Sequence, residues 1–455
     1  MKREPSRRAL IQWSLAAGAA LSVGPARIIE ILERTAGTRV AQAAAATPTK
    51  RSIHLRAGNG GLAWYTLLWP HNDIAATAAS NPTTTWPFTS TDTRVIQGTG
   101  GALTLGPNTP FANAPAERQM TAFMAGTNEA HTANPNSIVR SLNGNSMFAI
   151  AAVLQAENPT VVPVITVDDV QLGTAPGAPR GAVVPSGRDI VGLFNSAASR
   201  AGGLLDRARY AGHADLYRAH FETLAQLNRA AGRSTTLDAY ATARGAARFV
   251  GTNLAAQLAI TTADETAYGI DATMRADVAE IARTLIVAAK AFQLRLTSSV
   301  IMPALRDDPH TAFQDPTNLM ATTAALRRVL DAFMADLAQR TDAITGQSLA
   351  DSIVITIDGD TPKDPLVRTN WGDNTYENSN WLYVYGGGKL KSGWFGSIDR
   401  NAQVRGFDPT TGAATAYDGD LQAQAAVAAV AYAITGGDRR RVQDFTRVDI
   451  SGLIV

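Results

Sequence analysis

The chain has 455 residues, of which 45% are hydrophobic and 18% are charged, so it is long enough to bury a large core. It contains no cysteine, which excludes disulfides, zinc–thiolate sites, iron–sulfur clusters and cysteine nucleophiles. The net charge is +2, but residues 1–43 hold seven Lys and Arg and three Glu, so the remainder is slightly acidic. Because no basic stretch remains, we expect no nucleic-acid partner.

The N-terminal segment has the features of an export signal. The sequence SRRALI at 6–11 resembles a twin-arginine motif, with Leu10 where phenylalanine is usual. Residues 11–23 have the length of a signal-peptide hydrophobic region, and Ala-Gln-Ala at 41–43 offers a cleavage site. We predict that residues 1–43 are a signal peptide and that the protein is periplasmic or extracellular. The alternative is a cytosolic amphipathic helix. No later segment reaches the roughly 18 apolar residues that span a bilayer.

The first half of the remaining chain is predicted to contain short strands and long loops. Residues 52–56 are predicted to form a strand that runs into a glycine-rich turn. Residues 69–115 are rich in Pro, Thr, Asn and Gly, which indicates loops with short strands rather than helices. Residues 161–167 form an apolar run typical of a buried strand. It ends in Asp168 and Asp169, which we predict to be solvated loop acids.

The second half alternates predicted helices and strands. Apolar residues recur at helical spacing in three segments, at 217–227, 274–292 and 319–337, the last entered by Asp315 and Pro316. Apolar strand candidates lie at 294–302, 352–357 and 381–385. The alternation predicts an α/β fold, doubly wound, with a mainly parallel sheet and helices on both faces. We find no boundary that would divide residues 44–455, and expect a single domain.

Two of these strands are predicted to end in acidic loops at the same edge of the sheet. The strand at 294–302 leads into RDDPH at 306–310, and the strand at 352–357 leads into Asp358, Gly359 and Asp360. Ligands of open parallel sheets bind outside the carboxyl ends of the strands. This edge is therefore the first candidate for a functional site. Each of the two acidic segments is, however, also a sequence typical of an ordinary turn.

An ordered series of segments resembles a known family. The segments are the twin-arginine leader, HLRAGNGGLAW at 54–64, MTAFMAGTNEAHTANPNSI at 120–138, RDDPHTAF at 306–313, SIVITIDGDTPK at 352–363 and YGGGKLKSGWFGSIDR at 385–400. Together they resemble a group of twin-arginine-exported bacterial proteins of unknown function, related to the alkaline phosphatase and sulfatase superfamily. The resemblance runs over nearly the whole chain. It implies an alkaline-phosphatase-like domain with a metal-dependent ester hydrolase site at the carboxyl edge.

The resemblance also implies a set of metal ligands. The Asp-x-His pattern of the family falls on Asp308 and His310, and its acidic loop falls on Asp358 and Asp360. Two departures indicate a degenerate site: Gly60 stands at a position that is commonly acidic, and no histidine follows His310. The expected cofactor is a divalent cation, and oxygen ligands favour Ca²⁺ or Mg²⁺ over Zn²⁺.

Three further residues are candidate substrate contacts. His131 lies in a polar loop, where it could instead brace the loop, and Asp373 and Asn374 occupy the stretch in which the family carries its later histidine. No serine or threonine is marked as a nucleophile by its context; Thr121 and Thr127 are merely near one of the matching segments. The catalytic group is therefore not identified from the sequence.

The functional alternatives remain two. The first is a metal-dependent hydrolase of phosphate or sulfate esters, acting on a small molecule. The second is a non-catalytic protein on the same fold that binds a cell-envelope partner or a glycan, for which stacking rings are available in the densest aromatic region of the chain. That region contains Trp371, Tyr376, Trp381, Tyr383, Tyr385 and Trp394. Alternate residues of a strand are also typical core residues.

Overall fold

A computed structural model describes most of the chain after the predicted leader. The described residues are 49–71, 92–127, 138–156, 158, 160–194, 252–307, 316–342, 346–360, 378–398 and 403–455, with isolated positions between 212 and 249. The predicted signal peptide lies outside these residues, as does nearly all of the predicted helix at 217–227. Both remain predictions.

The described elements alternate between strands and helices. The elements of the first half are β1 (Arg51–Arg56), α1 (Leu62–Leu68), β2 (Arg94–Gln97), β3 (Ala102–Leu105), β4 (Thr121–Ala125), α2 (Met147–Leu154), β5 (Val164–Val167), β6 (Ala182–Val184) and α3 (Ile190–Phe194). The elements of the second half are α4 (Leu254–Leu258), α5 (Thr262–Ala267), α6 (Ala276–Gln293), β7 (Ser299–Pro303), α7 (Pro316–Gln339), β8 (Ile353–Asp358), β9 (Asn380–Tyr385), β10 (Gly393–Phe395), β11 (Ser397–Ile398), β12 (Val404–Phe407), β13 (Ala414–Thr415), α8 (Gly419–Ile434) and α9 (Arg439–Val442). Short 3₁₀ turns lie at Ala116–Arg118, Gly187–Asp189 and Leu349–Ser352.

Eight of these strands form one sheet, in the order β10-β4-β9-β8-β1-β7-β5-β6. Every neighbouring pair is parallel except the two that involve β9, which runs antiparallel to both β4 and β8. The central strand β1 lies between β8 and β7 and pairs in parallel with both. The predicted α/β fold with a mainly parallel sheet is therefore confirmed. The described residues also form two small sheets, β2-β3 and β11-β12-β13.

Helices cover both faces of the eight-stranded sheet. Successive residues of each strand point to opposite faces, so Ile53 and Leu55 of β1 join one core while Val354 of β8 and Ile301 of β7 join the other. The first core includes α1, α6 and α7, and the second includes α2 and α8. The periodic apolar residues predicted for α6 and α7 form the buried faces of these helices.

In the described part of the chain, no helix has both the length and the hydropathy needed to cross a membrane.

Two predicted strand boundaries are wrong, and for the same physical reason. The strand predicted at 294–302 begins only at Ser299, because α6 extends to Gln293 and Arg295 then takes a positive φ of 57°. The strand predicted at 161–167 begins at Val164; before it, Val161 and Val162 both donate backbone hydrogen bonds to the Leu296 carbonyl. In each case an apolar residue fills the connection before the strand, so hydrophobicity alone extends the strand too far.

The turn after β1 is packed tightly between the ends of its neighbours. The Gly58 amide donates to the Leu305 carbonyl beyond β7, at 3.1 Å, and the Ala57 amide donates to the Asp358 carbonyl of β8, at 2.8 Å. A Cβ atom on Gly61 would lie 2.1 Å from the Leu305 carbonyl oxygen. The backbone of Gly61 has ordinary helical angles, so this glycine is required by the close approach of the Leu305 carbonyl and not by its own conformation.

We predict that Gly61→Ala destabilises the protein by about 2 kcal/mol or more, since the added methyl group must displace a backbone carbonyl. The measurement is the free energy of unfolding in urea. Gly192→Ala is the matched control, because Gly192 lies inside α3 with nothing within 4 Å of an added Cβ. That control is expected to be neutral or to stabilise the protein by about 0.5 kcal/mol. Equal effects of the two substitutions would contradict the packing argument.

Candidate functional site at the carboxyl edge of the sheet

A buried ion pair occupies the carboxyl ends of the two central strands. The parallel register places Arg56, the last residue of β1, beside Asp358, the last residue of β8. Arg56 Nη1 donates to Asp358 Oδ2 at 2.6 Å, and the exposed fractions of the two side chains are 9% and 0%. The sequence alone assigns no partner to Asp358, whereas in the structure Arg56 is its cationic neighbour.

The second oxygen of Asp358 has no visible partner. Its Oδ1 atom is buried and accepts no hydrogen bond in the described structure. Burial raises the pKa of Asp358 to about 6; Arg56 opposes this shift, and the nearby Asp360 adds to it. A buried carboxylate oxygen without a donor is costly, which makes this atom the strongest local indication that a proton or a cation belongs here.

Asp360 belongs to the same buried group and is fixed by backbone contacts. Its side chain is fully buried, and its Oδ1 atom accepts a hydrogen bond from the Gly60 amide at 3.1 Å. Asn380, at the start of β9, donates through Nδ2 to the carbonyl oxygens of Gly359 and Asp360, at 2.9 and 2.8 Å. The residue between the two acids must be small, since a Cβ on Gly359 would lie 2.8 Å from the Cβ of Leu62.

A second ion-paired group lies at the outer rim of the same edge. Asp168 and Asp169 follow β5 and are 51% and 65% exposed, as predicted for solvated loop acids. The sequence did not predict their partner: Arg306, beyond β7, lies 3.0 Å from Asp168 Oδ2 and also pairs with Asp169. Arg306 lines two clefts, one of about 110 Å³ with Arg56 and Asn59 and one of about 270 Å³ toward α6.

The glycine-rich turn offers few amides to a ligand. The Gly58 amide donates to the Leu305 carbonyl, the Gly61 amide donates to the Gly58 carbonyl, and the Gly60 amide donates to Asp360. Amides that are engaged in this way cannot also bind a phosphate group. Its hydrogen bonds instead join the ends of β1, β7 and β8.

The predicted site residues fall into two groups. Asp358 and Asp360 lie together at the carboxyl edge, as the strand order predicts. The other predicted residues lie outside the described part of the chain; they are the metal ligands Asp308 and His310 and the substrate contacts His131, Asp373 and Asn374. Within the described ranges, no group of three or more His, Asp or Glu is arranged to hold a metal ion.

The aromatic region is core rather than surface where the structure describes it. Trp381 and Tyr383 are each 1% exposed, Tyr385 is buried, and Trp394 is half-buried. Trp394 contacts Trp381 edge to face, with ring centroids 4.9 Å apart. The described rings of β9 are therefore not available for stacking on a glycan. Trp371 and Tyr376 lie outside the described residues.

Comparisons with protein-family models, with curated proteins and with solved structures found no match to this chain.

We predict strong coupling between Arg56 and Asp358. Arg56→Met is expected to cost about 3 kcal/mol of unfolding free energy at neutral pH, because it leaves a buried carboxylate with less compensation. When Arg56→Met is combined with Asp358→Asn, the double variant should lose less unfolding free energy than the two single variants together. The expected difference is about 2 kcal/mol. The control cycle uses Arg327 and Asp331, an exposed pair 3.3 Å apart, where coupling below about 0.5 kcal/mol is expected. A coupling at Arg56 and Asp358 no larger than this would contradict the buried ion pair.

We also predict a pH-dependent difference between the wild type and Asp358→Asn in metal-free buffer. Folding raises the pKa of Asp358 from 3.8 to about 6, so its contribution to stability is fully present below pH 4 and is lost as the pH rises through 6. The stability of the wild type relative to the variant should fall by about 3 kcal/mol across this window. Urea unfolding at several pH values measures the difference, and a flat or rising profile would refute the buried carboxyl.

Proposed function

We propose that this protein is an exported ester hydrolase of the alkaline phosphatase and sulfatase type, acting on phosphate or sulfate monoesters with one divalent cation at the carboxyl edge of its sheet. The observation that carries the proposal is the buried Asp358 Oδ1 atom, which has no hydrogen-bond donor and lies near a second buried carboxylate, Asp360. The proposal includes export through the leader at 1–43, on the strength of its twin-arginine motif.

The available donors fit a hard cation. Asp358 Oδ1 and the carboxylate of Asp360 are oxygen ligands, which Ca²⁺ and Mg²⁺ prefer, and the proposed set is completed by Asp308 and His310. Those two residues follow β7, which pairs with β1 at the centre of the sheet. A cation bound there would polarise an ester oxygen and lower the pKa of a bound water.

The arginines at the edge would orient an anionic substrate. Arg306 is partly exposed and lines both clefts of the edge, so its guanidinium can bind an oxygen of a phosphate or sulfate group. Arg56 lines the smaller cleft while it neutralises Asp358. Together they would place the ester between fixed positive charge and the carboxylates, without themselves exchanging protons.

One observation favours the second candidate, a non-catalytic binding protein. Asp358 already pairs with Arg56, and this fixed positive charge would repel a divalent cation on the neighbouring oxygen. A protein that had lost its metal could keep the fold, with such an arginine in place of the cation. Its ligand would then be a cell-envelope partner or a glycan bound outside the buried rings of β9.

Metal content distinguishes the two candidates. The mature protein is purified without chelator and incubated in turn with Ca²⁺, Mg²⁺, Zn²⁺ and Mn²⁺, and bound metal is measured by elemental analysis after desalting. We expect about one ion per chain, lost in Asp358→Asn, Asp360→Asn, Asp308→Ala and His310→Ala. Asp444→Asn, on an exposed acid, is the control that should retain the ion.

The metal-loaded protein is then assayed with 4-nitrophenyl phosphate and 4-nitrophenyl sulfate. Hydrolysis that disappears with the metal in the four site variants would support the ester hydrolase. Wild-type protein that binds none of the four metals would refute it and favour the binding protein.

A further inference from the structure

A second cleft lies at the opposite, amino edge of the sheet. It has a volume of about 390 Å³, within the size range of sites that bind small molecules. It lies where β1 and β8 begin and where the antiparallel β9 has just ended, so the whole length of the sheet separates it from the carboxyl edge. We call it the amino-edge cleft. The basic residues that line it are Lys50, Arg51, Arg118, Arg295 and Lys389.

The carboxylates of the amino-edge cleft are fewer than its cations and are already engaged. Asp342 pairs with Arg51 and lies 4.0 Å from Arg295 Nε. Asp351 pairs with Arg118. With five basic and two acidic side chains in its lining, the amino-edge cleft carries three more positive than negative groups. Such a concentration of one sign of charge in a concave site attracts anions.

The excess positive charge is concentrated on two lysines. Lys50 donates through Nζ to the Gly387 carbonyl at 2.6 Å, which is a neutral acceptor. Its pKa is lowered to about 8, chiefly by burial and then by Lys389 and Arg118, with Asp351 opposing them. Lys389 has no carboxylate partner among the described residues. The two ammonium groups therefore repel each other in a partly desolvated site.

The glycine turn after β9 holds these lysines together. Gly387 has a φ of 59°, and a Cβ at this position would lie 2.5 Å from Lys50 Nζ. The turn thus needs glycine both for its backbone conformation and for the approach of Lys50. Lys389 follows two residues later. The turn at 386–388 therefore brings two like charges into one cleft.

The cleft also contains an unused hydrogen-bonding group. Thr49 is 8% exposed and lines the cleft, and its Oγ1 atom has no hydrogen-bond partner in the described structure. A buried hydroxyl group that lines the same cleft as the two lysines is an additional donor for an oxyanion.

We propose that the amino-edge cleft binds the phosphate or sulfate group of a small molecule, held by Lys50, Lys389 and Thr49. A tetrahedral dianion would offset most of the excess positive charge and accept hydrogen bonds from the two ammonium groups and from the Thr49 hydroxyl. The volume leaves room for an organic group attached to the anion. The site is separate from the carboxyl edge and does not depend on the hydrolase proposal.

Binding is tested by isothermal titration calorimetry of the mature protein with sulfate, inorganic phosphate and phenyl phosphate. We expect saturable binding of all three at low ionic strength, at least tenfold weaker in both Lys50→Met and Lys389→Gln. Lys389 is half-buried, so its variant keeps the test valid should the Lys50 variant fold poorly. Arg405→Gln removes one exposed charge elsewhere and should bind as the wild type does. If phenyl phosphate binds more tightly than inorganic phosphate, the ligand is an organic ester. If the two bind equally, the ligand is a free oxyanion.

Proton uptake provides an independent readout. An anion beside Lys50 favours its charged form, so sulfate binding near pH 8 should take up protons from the buffer, while binding at pH 6.5 should not. Comparing binding enthalpies in buffers of different ionisation enthalpy measures this uptake, which should disappear in Lys50→Met. Absence of saturable binding, or binding and uptake that are unchanged in both lysine variants, would overturn the proposal.

Discussion

The structure depends on the central position of β1. This strand has a parallel neighbour on each side and helices on each face, so the polar groups at its two ends must find partners within the protein. At its carboxyl end that partner is Asp358, which meets Arg56 in a buried ion pair. At its amino end Arg51 pairs with Asp342, and Lys50 before it donates to the Gly387 carbonyl. Both candidate sites therefore form where β1 leaves the core.

Much of the fold could be predicted from hydrophobic patterns alone. The strands at 52–56, 352–357 and 381–385 and the helices at 274–292 and 319–337 agree with the structure to within a few residues, because each is a long apolar run or a clear helical period. The antiparallel direction of β9 could not be predicted, because the sequence of an apolar strand does not indicate whether it runs parallel or antiparallel to its neighbours. The starts of β5 and β7 were missed because apolar residues also pack in the connections that precede them.

The sites were harder to predict than the fold, and for a different reason. Asp358 and Asp360 could be located because they follow a recognisable strand, but the partner of Asp358 lies 302 positions away in sequence and depends on register. The basic residues of the amino-edge cleft come from widely separated segments, and each resembles an ordinary surface charge. Only the order of strands in the sheet brings them together.

The reversed direction of β9 has a consequence for how the molecule can vary. Asn380 at its start holds the loop of Asp360, and Lys389 just beyond its end lines the opposite edge, so one short segment contributes to both. A single inserted or deleted residue within it would turn the alternate side chains of the strand to the wrong face and displace one end relative to the other. The number of residues between 380 and 389 is therefore fixed by the distance between the two edges of the sheet. Related chains that keep both sites must keep that length, whatever their surface loops do.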